Sequence, residues 1–470
     1  MSATRHFDVV VLGAGPGGYT AAVRAAQLGK SVAVVEDGQW GGVCLNIGCI
    51  PSKALLRNAE IAHLLQHRRD AFSIVGDAHV DFGGTWKRSR QVADASARGV
   101  HYLMKKNGIT EIQGWGTLTG PRSISVGGES PDGGGSVEFD HLIIATGATV
   151  RSIPGVVPNG QGIVTYEEQI LDEVLPSSII IGGSGAIGVE FAYVLNAFGV
   201  DVTIIEYVDR MVPTEDADIS RALLRHYQRL GIKVLTGTAV TRVDDTGNGV
   251  RVVVAPAAGG EEQTLQADRF LAAFGFAPRV DGYGLESTGV ALTARRAIAV
   301  DGRGRTNVDN VYAIGDVTGR LMLAHVAESM GIVAAETIAG VATLEVDIDM
   351  VPRATYCQPQ IASFGLTQAQ AEEKGHDVRT ASFPFSANGK ARGLGETVGF
   401  VKVIVDAEHH ELLGAHLIGP EVTELLPALT LAQQWDLTAE EVGRNIFAHP
   451  TLGEAVKEAV HGVLGHAINI

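Results

Sequence analysis

"FDVVVLGAGPGGYTAAVRAAQLGKSVAVVE" (residues 7–36) reads as a strand, a glycine turn, a helix and a second strand. The run Val9–Leu12 is continuously apolar, as a strand buried on both faces should be. Gly13, Gly15 and Gly18 form G-x-G-x-x-G. Ala21, Ala22, Ala25 and Ala26 keep the next helix slim enough to pack closely on a sheet, and Glu36 ends the second strand. The unit returns at "SSIIIGGSGAIGVEFAYVLNAFGVDVTIIE" (177–206), with Gly183, Gly185, Gly188 and Glu206. In both copies the acid lies 18 residues after the third glycine. One isolated motif is weak, but the repeat in strand–turn–helix context is strong. The glycines let the backbone approach a pyrophosphate, the helix N-terminus offers free N–H groups, and the acid accepts from a ribose. Two ordinary βαβ units with incidental glycines would not reproduce that spacing.

Two further segments read as buried strands that deliver small polar turns to a ligand: "HLIIATGA" (141–148) and "NVYAIGDVTG" (310–319). The second glycine turn lies between them. The expected architecture is therefore α/β, with two Rossmann-like dinucleotide-binding domains. The first is discontinuous (1–150 and 280–350), and the second is inserted at 151–279. Residues 351–470 change character. "ATYCQPQIASFGLT" and "FVKVIVDAEHHELLGAHLIG" read as strands, while "VTELLPALTLAQQWDL" and "GEAVKEAVHGVLGHAI" read as helices. This third domain is α+β, has no glycine-rich turn, and is suited to packing or dimerisation.

A length of 470 residues, at ~150 residues per domain, agrees with about three domains. With 37 basic and 53 acidic side chains the net charge is −16, which disfavours nucleic acid and anionic membrane as partners. The basic cluster "KRSR" (87–90) reads as a solvated helix face. No uncharged apolar run reaches the ~18 residues of a membrane span. "MSATRHFDVVVLGAG" runs straight into a strand without the features of a signal peptide or presequence, so a cytoplasmic location is expected.

"GGVCLNIGCIPSK" (41–53) places Cys44 and Cys49 five residues apart. Neither a regular helix nor an extended strand brings such a pair together, but the flanking glycines and Gly48 permit an irregular turn. Pro51 suits the first turn of a helix, which sets Cys49 near a helix N-terminus, where thiolate is favoured. Zinc would need two more ligands at suitable spacing, and the sequence offers none. An inert staple is the other alternative. A small constrained ring favours a redox pair. Cys357 reads as a buried core thiol within a strand.

The segments "GAGPGG", "GGVCLNIGCIPSK", "GGSGAIGVEFA", "AFGFAPR", "YAIGDV", "LAHVAE" and "HPTLGE" follow in that order over essentially the whole chain. Together they resemble the flavin-linked disulfide reductases, the class I pyridine nucleotide-disulfide oxidoreductases. "CIPSK" resembles the spelling of the lipoamide-acting branch. The resemblance implies that Gly13, Gly15, Gly18 and Glu36 bind the ADP half of FAD. It implies that Lys53 lies near the flavin and pairs with Glu190, and that Gly116, Thr146, Asp316 and Ala324 line the rest of the FAD site. Gly183, Gly185, Gly188, Glu206 and Gly275 would belong to NAD, the acid at 206 repelling the 2′-phosphate of NADP. Cys44 would meet the substrate and Cys49 the flavin. His449 would be the general base, oriented by Glu454 and reaching the active site of the other subunit of a homodimer. "TLGE" (451–454) is also a capping box, which by itself accounts for Glu454. The implied partners are lipoyl domains of 2-oxoacid dehydrogenase acyltransferase components.

Two positions depart from the family pattern: Phe447, where many relatives carry a histidine, and Gly453, where a serine or threonine is common. A reductase of glutathione or a related thiol would show basic residues at 206 and a "CVPKK"-like motif. A metal-ion reductase or large thioredoxin reductase would carry a C-terminal cysteine pair, yet the last cysteine is Cys357. A nucleotide-binding redox sensor without turnover is the rival of another class, and a dithiol turnover assay separates it.

Overall fold

The glycine turns sit where the chain leaves fully buried parallel strands. In the computed structural model, which describes residues 5–127 and 135–469, Val9, Val10 and Val11 are wholly buried in the strand Arg5–Leu12. Residues 1–4, part of the N-terminal reading, lie outside the described residues. The strand pairs in parallel with Val32–Glu36 on one side and Ser136–Ile144 on the other. The sheet order continues outward through Thr110–Gln113 on one edge and through Ser123–Gly127 and Trp115–Gly120 on the other. Val311–Ala313 joins Ser136–Ile144 in parallel, so the two polar turns foreseen at 145–147 and 315–319 emerge side by side.

The first helix, Pro16–Gln27, buries Gly17, Gly18, Ala21, Ala22 and Ala25. Ala26 is only partly buried. The small residues serve a helix as well as the sheet. A Cβ at Gly17 would stand 2.9 Å from Ala327 O, and one at Gly331 would stand 2.7 Å from Gly17 O. Helix Ala324–Ala339 thus lies hard against the first helix.

The chain forms two compact units. One gathers the chain through Ala54 with Trp86–Arg151 and Gly275–Ile348, and carries the sheet just described. The other gathers Leu55–Thr85, Ser152–Phe274 and Asp349 onward. It holds the second glycine turn on a parallel sheet ordered Lys233–Leu235, Asp201–Ile205, Ser178–Gly182, Arg269–Ala272 and Ile163–Val164. It also holds an antiparallel sheet from Arg353–Thr355 to Leu412–Gly419, covered by helices Leu426–Gln434, Ala439–Arg444 and Glu454–Val463. Every residue of Leu412–Gly419 is buried, as a central strand requires.

Cys357 is wholly buried, as expected, but it lies in the bend between Arg353–Thr355 and Gln360–Gly365 rather than in a strand. Its thiol donates to Pro359 O at 3.3 Å. The strand Arg353–Thr355 turns there into its antiparallel partner Gln360–Gly365, and Pro359, with no N–H to give a ladder, sits in that connection. Among the described residues no helix is long and apolar enough to cross a membrane.

Candidate active site

The first glycine turn is tight for three separate reasons. Gly13 has φ +107°, and a Cβ there would collide with Ala145 O. A Cβ at Gly18 would collide with Gly13 O. Gly15 has open space around its missing side chain, and it caps the helix without any side-chain acceptor. The N–H groups of that first turn therefore point at an uncrowded surface, the cradle a pyrophosphate needs. Glu36 folds back on the turn: Oε2 accepts from Ala14 N–H at 2.6 Å and Oε1 from Gly38 N–H at 2.7 Å. Burial nonetheless pushes its pKa up, because those two N–H groups do not fully compensate it.

The cysteine segment is built onto this turn. Gly41 N–H donates to Ala14 O at 3.0 Å, and a Cβ at Gly42 would stand 2.8 Å from Gly15 Cα. Cys44 sits in the short helix Gly42–Asn46, and Cys49 is the first residue of the helix Cys49–His67. The break between them is the irregular turn the sequence required. Gly48 permits it, since a Cβ there would stand 2.9 Å from Val43 O and 3.3 Å from Cys44 Cα. Both cysteines carry thiols, Cys49 exposed and Cys44 half-buried. The hydrogen bond with Cys49 pushes the Cys44 pKa up, and burial adds to it. Glu328 raises it further, while Lys53 lowers it. Among the described residues no group of three or more His, Cys, Asp or Glu is placed to hold a metal ion.

Sequence reasoning missed several neighbours. Tyr19 Oη donates to Glu328 Oε1 at 3.4 Å, and burial first, then the Glu328 and Cys44 charges, push its pKa up to about 12. Asn46 is buried and donates from Nδ2 to Trp40 O at 3.0 Å and Gly42 O at 2.9 Å. The "KRSR" reading holds for Lys87 and Arg88, which are exposed, and needs correction at the other two: Ser89 is wholly buried, and half-buried Arg90 donates to Asn46 O in the cysteine segment, while Arg88 donates to Ala54 O just past it. A register count along the helix Phe82–Lys106 could have flagged Ser89, but not which carbonyls the arginines reach.

The remaining residues expected on the flavin side share this unit. Thr146 Oγ1 donates to Arg279 O at 2.9 Å. Arg279 Nε is buried with no partner among the described residues, an orphan donor that an added polar group would satisfy. Asp316 lies in the turn Gly315–Thr318, and burial alone pushes its pKa up to about 6. Ala324 opens the helix Ala324–Ala339. Gly116 owes its missing side chain to packing, since a Cβ would stand 2.7 Å from Leu12 Cδ1 and 3.1 Å from Val35 Cγ1. An open cradle, an orphan donor and a buried acid fit FAD.

The second turn repeats the first. Gly183 has φ +108°, Cβ atoms at Gly183 and Gly188 would collide with Ala273 O and Gly183 O, and Gly185 is open. Glu206 is buried, accepting from Ser184 N–H and Ser184 Oγ, each at 2.8 Å, and from Val208 N–H at 3.0 Å. Glu190 is buried in the helix Ala186–Ala197 and accepts from Tyr356 N–H at 2.8 Å. Gly275, with φ +94° and open space, lies in the other unit, where its carbonyl accepts from Arg151 N–H at 2.9 Å.

His449 is 78% exposed, and its Nδ1 lies 2.9 Å from Glu454 Oε1. Burial would raise the Glu454 pKa, but Thr451 N–H, at 2.9 Å from Oε2, and His449 outweigh it and bring it below the usual value. An ionised carboxylate only accepts, so Nδ1 carries the proton and Nε2 of the neutral ring keeps its lone pair. The capping box is half made. Glu454 accepts from Thr451 N–H, but the Thr451 hydroxyl donates to Ala448 O instead of capping the helix. The carboxylate serves the turn and the imidazole together.

Residues 7–331 match the family described as pyridine nucleotide-disulphide oxidoreductase, and residues 351–460 match its dimerisation domain. The chain belongs to this family. Its fold is accordingly two Rossmann-like nucleotide-binding domains and a C-terminal dimerisation domain, and the oxidoreductase is a homodimer. It is 57% identical over 466 residues to the dihydrolipoyl dehydrogenase of Mycobacterium tuberculosis, covering 99% of each chain. It is 55% identical over 469 residues to that of Corynebacterium glutamicum, covering 99% of this chain and 100% of the other. Among solved structures it is similar to LpdA from Mycobacterium tuberculosis, with TM-score 0.89 and 26% identity over 98% of this chain and 100% of that one. It is also similar to the HOCl-induced flavoprotein disulfide reductase RclA from Escherichia coli, with TM-score 0.84 and 29% identity over 96% and 99%.

Proposed function

We propose that the chain is a dihydrolipoyl dehydrogenase. It oxidises dihydrolipoamide carried on lipoyl domains of 2-oxoacid dehydrogenase complexes and reduces NAD, in the cytoplasm. The observation that carries this reading is the joining of the cysteine segment to the first dinucleotide turn, through Gly41 N–H to Ala14 O. That joint mounts a dithiol on the cradle of a dinucleotide. Identity of 55–57% to dihydrolipoyl dehydrogenases over the full chain supports the choice of dithiol.

The residues divide the work. His449 of the partner subunit accepts a proton at Nε2 from one dihydrolipoyl thiol, and Glu454 holds the ring and its Nδ1 proton in place. The substrate thiolate attacks Cys44 Sγ of the oxidised pair; the Cys44–Cys49 bond breaks, and Cys49 leaves as a thiolate. The second substrate thiol then expels Cys44. The substrate has lost two electrons and two protons, and the cysteine pair has gained the electrons. Bound FAD supplies a two-electron relay between the thiols and NAD. Gly13, Gly15, Gly18, Glu36, Thr146, Asp316 and Ala324 would hold FAD, with Gly116 and Lys53 completing its site. Gly183, Gly185, Gly188, Glu190, Glu206 and Gly275 serve NAD, and the carboxylate at 206 repels a 2′-phosphate.

The test is a visible spectrum of the purified protein followed by an assay of NAD⁺ reduction by dihydrolipoamide. A yellow protein that forms NADH is the expected outcome. A yellow protein inert to dihydrolipoamide would move the substrate to another thiol, and one unable to take up FAD would end the reading.

A further inference from the structure

The two thiols ride on different helices, so their mutual position depends on what fixes the break at Ile47 and Gly48. The hydrogen bonds of Asn46 to Trp40 O and Gly42 O secure only the first side of that break. Asn46 is the last residue of its short helix, and its carbonyl is one of the orphans a helix end leaves. Arg90 Nη1 donates to that carbonyl at 2.7 Å. From the same helix, Arg88 Nη1 donates to Ala54 O at 3.1 Å, beyond the second cysteine. Arg90 is half-buried, and its Nη2 is buried with no partner among the described residues. A surface-facing arginine placed only for solubility would not give up that hydration. Burial also lowers the Arg90 pKa, as expected of a guanidinium drawn into the structure.

We propose that Arg90 is a positioning residue for the redox pair. By holding the Asn46 carbonyl it fixes the break that keeps Cys44 beside Cys49, and so raises the effective concentration of each thiol at the other. The proposal rests on the redox reading of the pair, but its test needs neither dihydrolipoamide nor NAD. The flavin-loaded protein is equilibrated with mixtures of reduced and oxidised glutathione. Cys44 and Cys49 lose two electrons and two protons to form their disulfide, and one oxidised glutathione takes them up to give two reduced molecules. Quenching, unfolding and alkylation then count free thiols by intact mass, with Cys357 as the internal reference.

Looser positioning lowers the equilibrium constant for pair oxidation. Arg90→Met should lower it about tenfold, which corresponds to about 30 mV for a two-electron couple. Arg90→Lys keeps the charge and one donor, and should lower it about threefold. Wild-type equilibrium constants in both variants, or a lower melting temperature in either with the constant unchanged, would overturn the proposal and leave Arg90 a structural residue. If Arg90→Met does not fold, the threefold shift in Arg90→Lys decides alone. A wild-type pair that stays reduced against excess oxidised glutathione would sink the redox reading itself, which is a distinct outcome.

Discussion

The two glycine turns have nearly the same backbone and different surroundings. Gly13 and Gly183 share φ values of +107° and +108°, and a Cβ at either Gly15 or Gly185 would meet nothing within 4 Å. The residue after the first glycine accepts a backbone bond in each. In the first turn, Ala14 O takes Gly41 N–H at 3.0 Å; in the second, Ser184 O takes Val212 N–H at 3.2 Å. The first donor begins the cysteine segment. The second lies within the loop that leads from the strand Asp201–Ile205 to the helix Ala217–Arg229. The acids differ too: Glu36 is partly buried with two N–H partners, while Glu206 is buried with two N–H partners and a hydroxyl. A duplicated unit thus keeps the backbone that receives a dinucleotide and diverges in what is attached to it. Only the first turn has chemistry mounted on it.

The strongest way to break this comparison is to fill the two open positions. A Cβ at Gly15 or Gly185 meets nothing within 4 Å, so Gly15→Val and Gly185→Val should both fold. Gly15→Val should be colourless. Gly185→Val should stay yellow and show a KM for NAD raised by at least about tenfold, the effect of losing one good phosphate contact. Flavin absorbance per chain and NAD kinetics read both. Equal flavin content in the two variants would erase the assignment of one turn to each cofactor.

Next in size are the thiol and the base. Cys44→Ser should reduce dihydrolipoamide turnover to background and leave flavin content unchanged; loss of flavin would mean the segment holds the cradle rather than the chemistry. His449→Gln should lower dithiol oxidation by roughly 10²–10⁴-fold, the usual range for a general base. A near-normal rate would leave the His449–Glu454 pair a helix-end contact.

A smaller effect sharpens the contrast between the acids. Among the described residues no hydrogen bond compensates Asp316, and burial takes its pKa up to about 6 from a usual 3.8. The folded state then holds a proton that the unfolded state releases, so stability falls as pH rises from about 4 to about 6 and stays reduced above that. In flavin-free protein Asp316→Asn should therefore be more stable by up to ~3 kcal/mol at pH 7.5 and unchanged near pH 3. Thermal unfolding at the two pH values measures it, and equal gains at both would refute a titration origin.

Backbone-determined features were legible in the sequence. Gly13 and Gly183 are dictated by φ and by the carbonyl beside them, and that requirement leaves glycine as its mark. The break at Gly48 follows from short-range spacing in the same way, whereas the Nδ1 bond of His449 to Glu454 was legible only through the family resemblance. Arg90 was read as solvated because periodicity reports which side of a helix is polar. It does not report that a guanidinium will cross to a carbonyl 44 residues away in the chain. Cys357 reads as a strand residue because it lies between two β-prone segments, and the hairpin connection that holds it leaves little mark in the sequence beyond Pro359. The backbone N–H donors to Glu36 and Glu206 were also invisible, since an acid at ribose distance looks the same whether or not its own turn shares it.

Ser184 offers the finest test, because it is where the second turn departs from Ala14 in the first. Its hydroxyl donates to Glu206 Oε2 at 2.8 Å in a buried setting, so it helps to keep a charge inside the fold. Ser184→Ala removes that donor and leaves the Ser184 and Val208 N–H groups in place, which reproduces the two-donor pattern of Glu36. A hydrogen bond to a charged group contributes about 1.5–3 kcal/mol, and the surviving donors should hold the loss near the lower figure. Stability should fall by that amount, and the KM for NAD should change less than about threefold, since the open position at Gly185 is untouched. A larger change in KM would show that the hydroxyl aims the carboxylate at the ribose. The two turns would then differ in how they present their acids as well as in what is mounted on them.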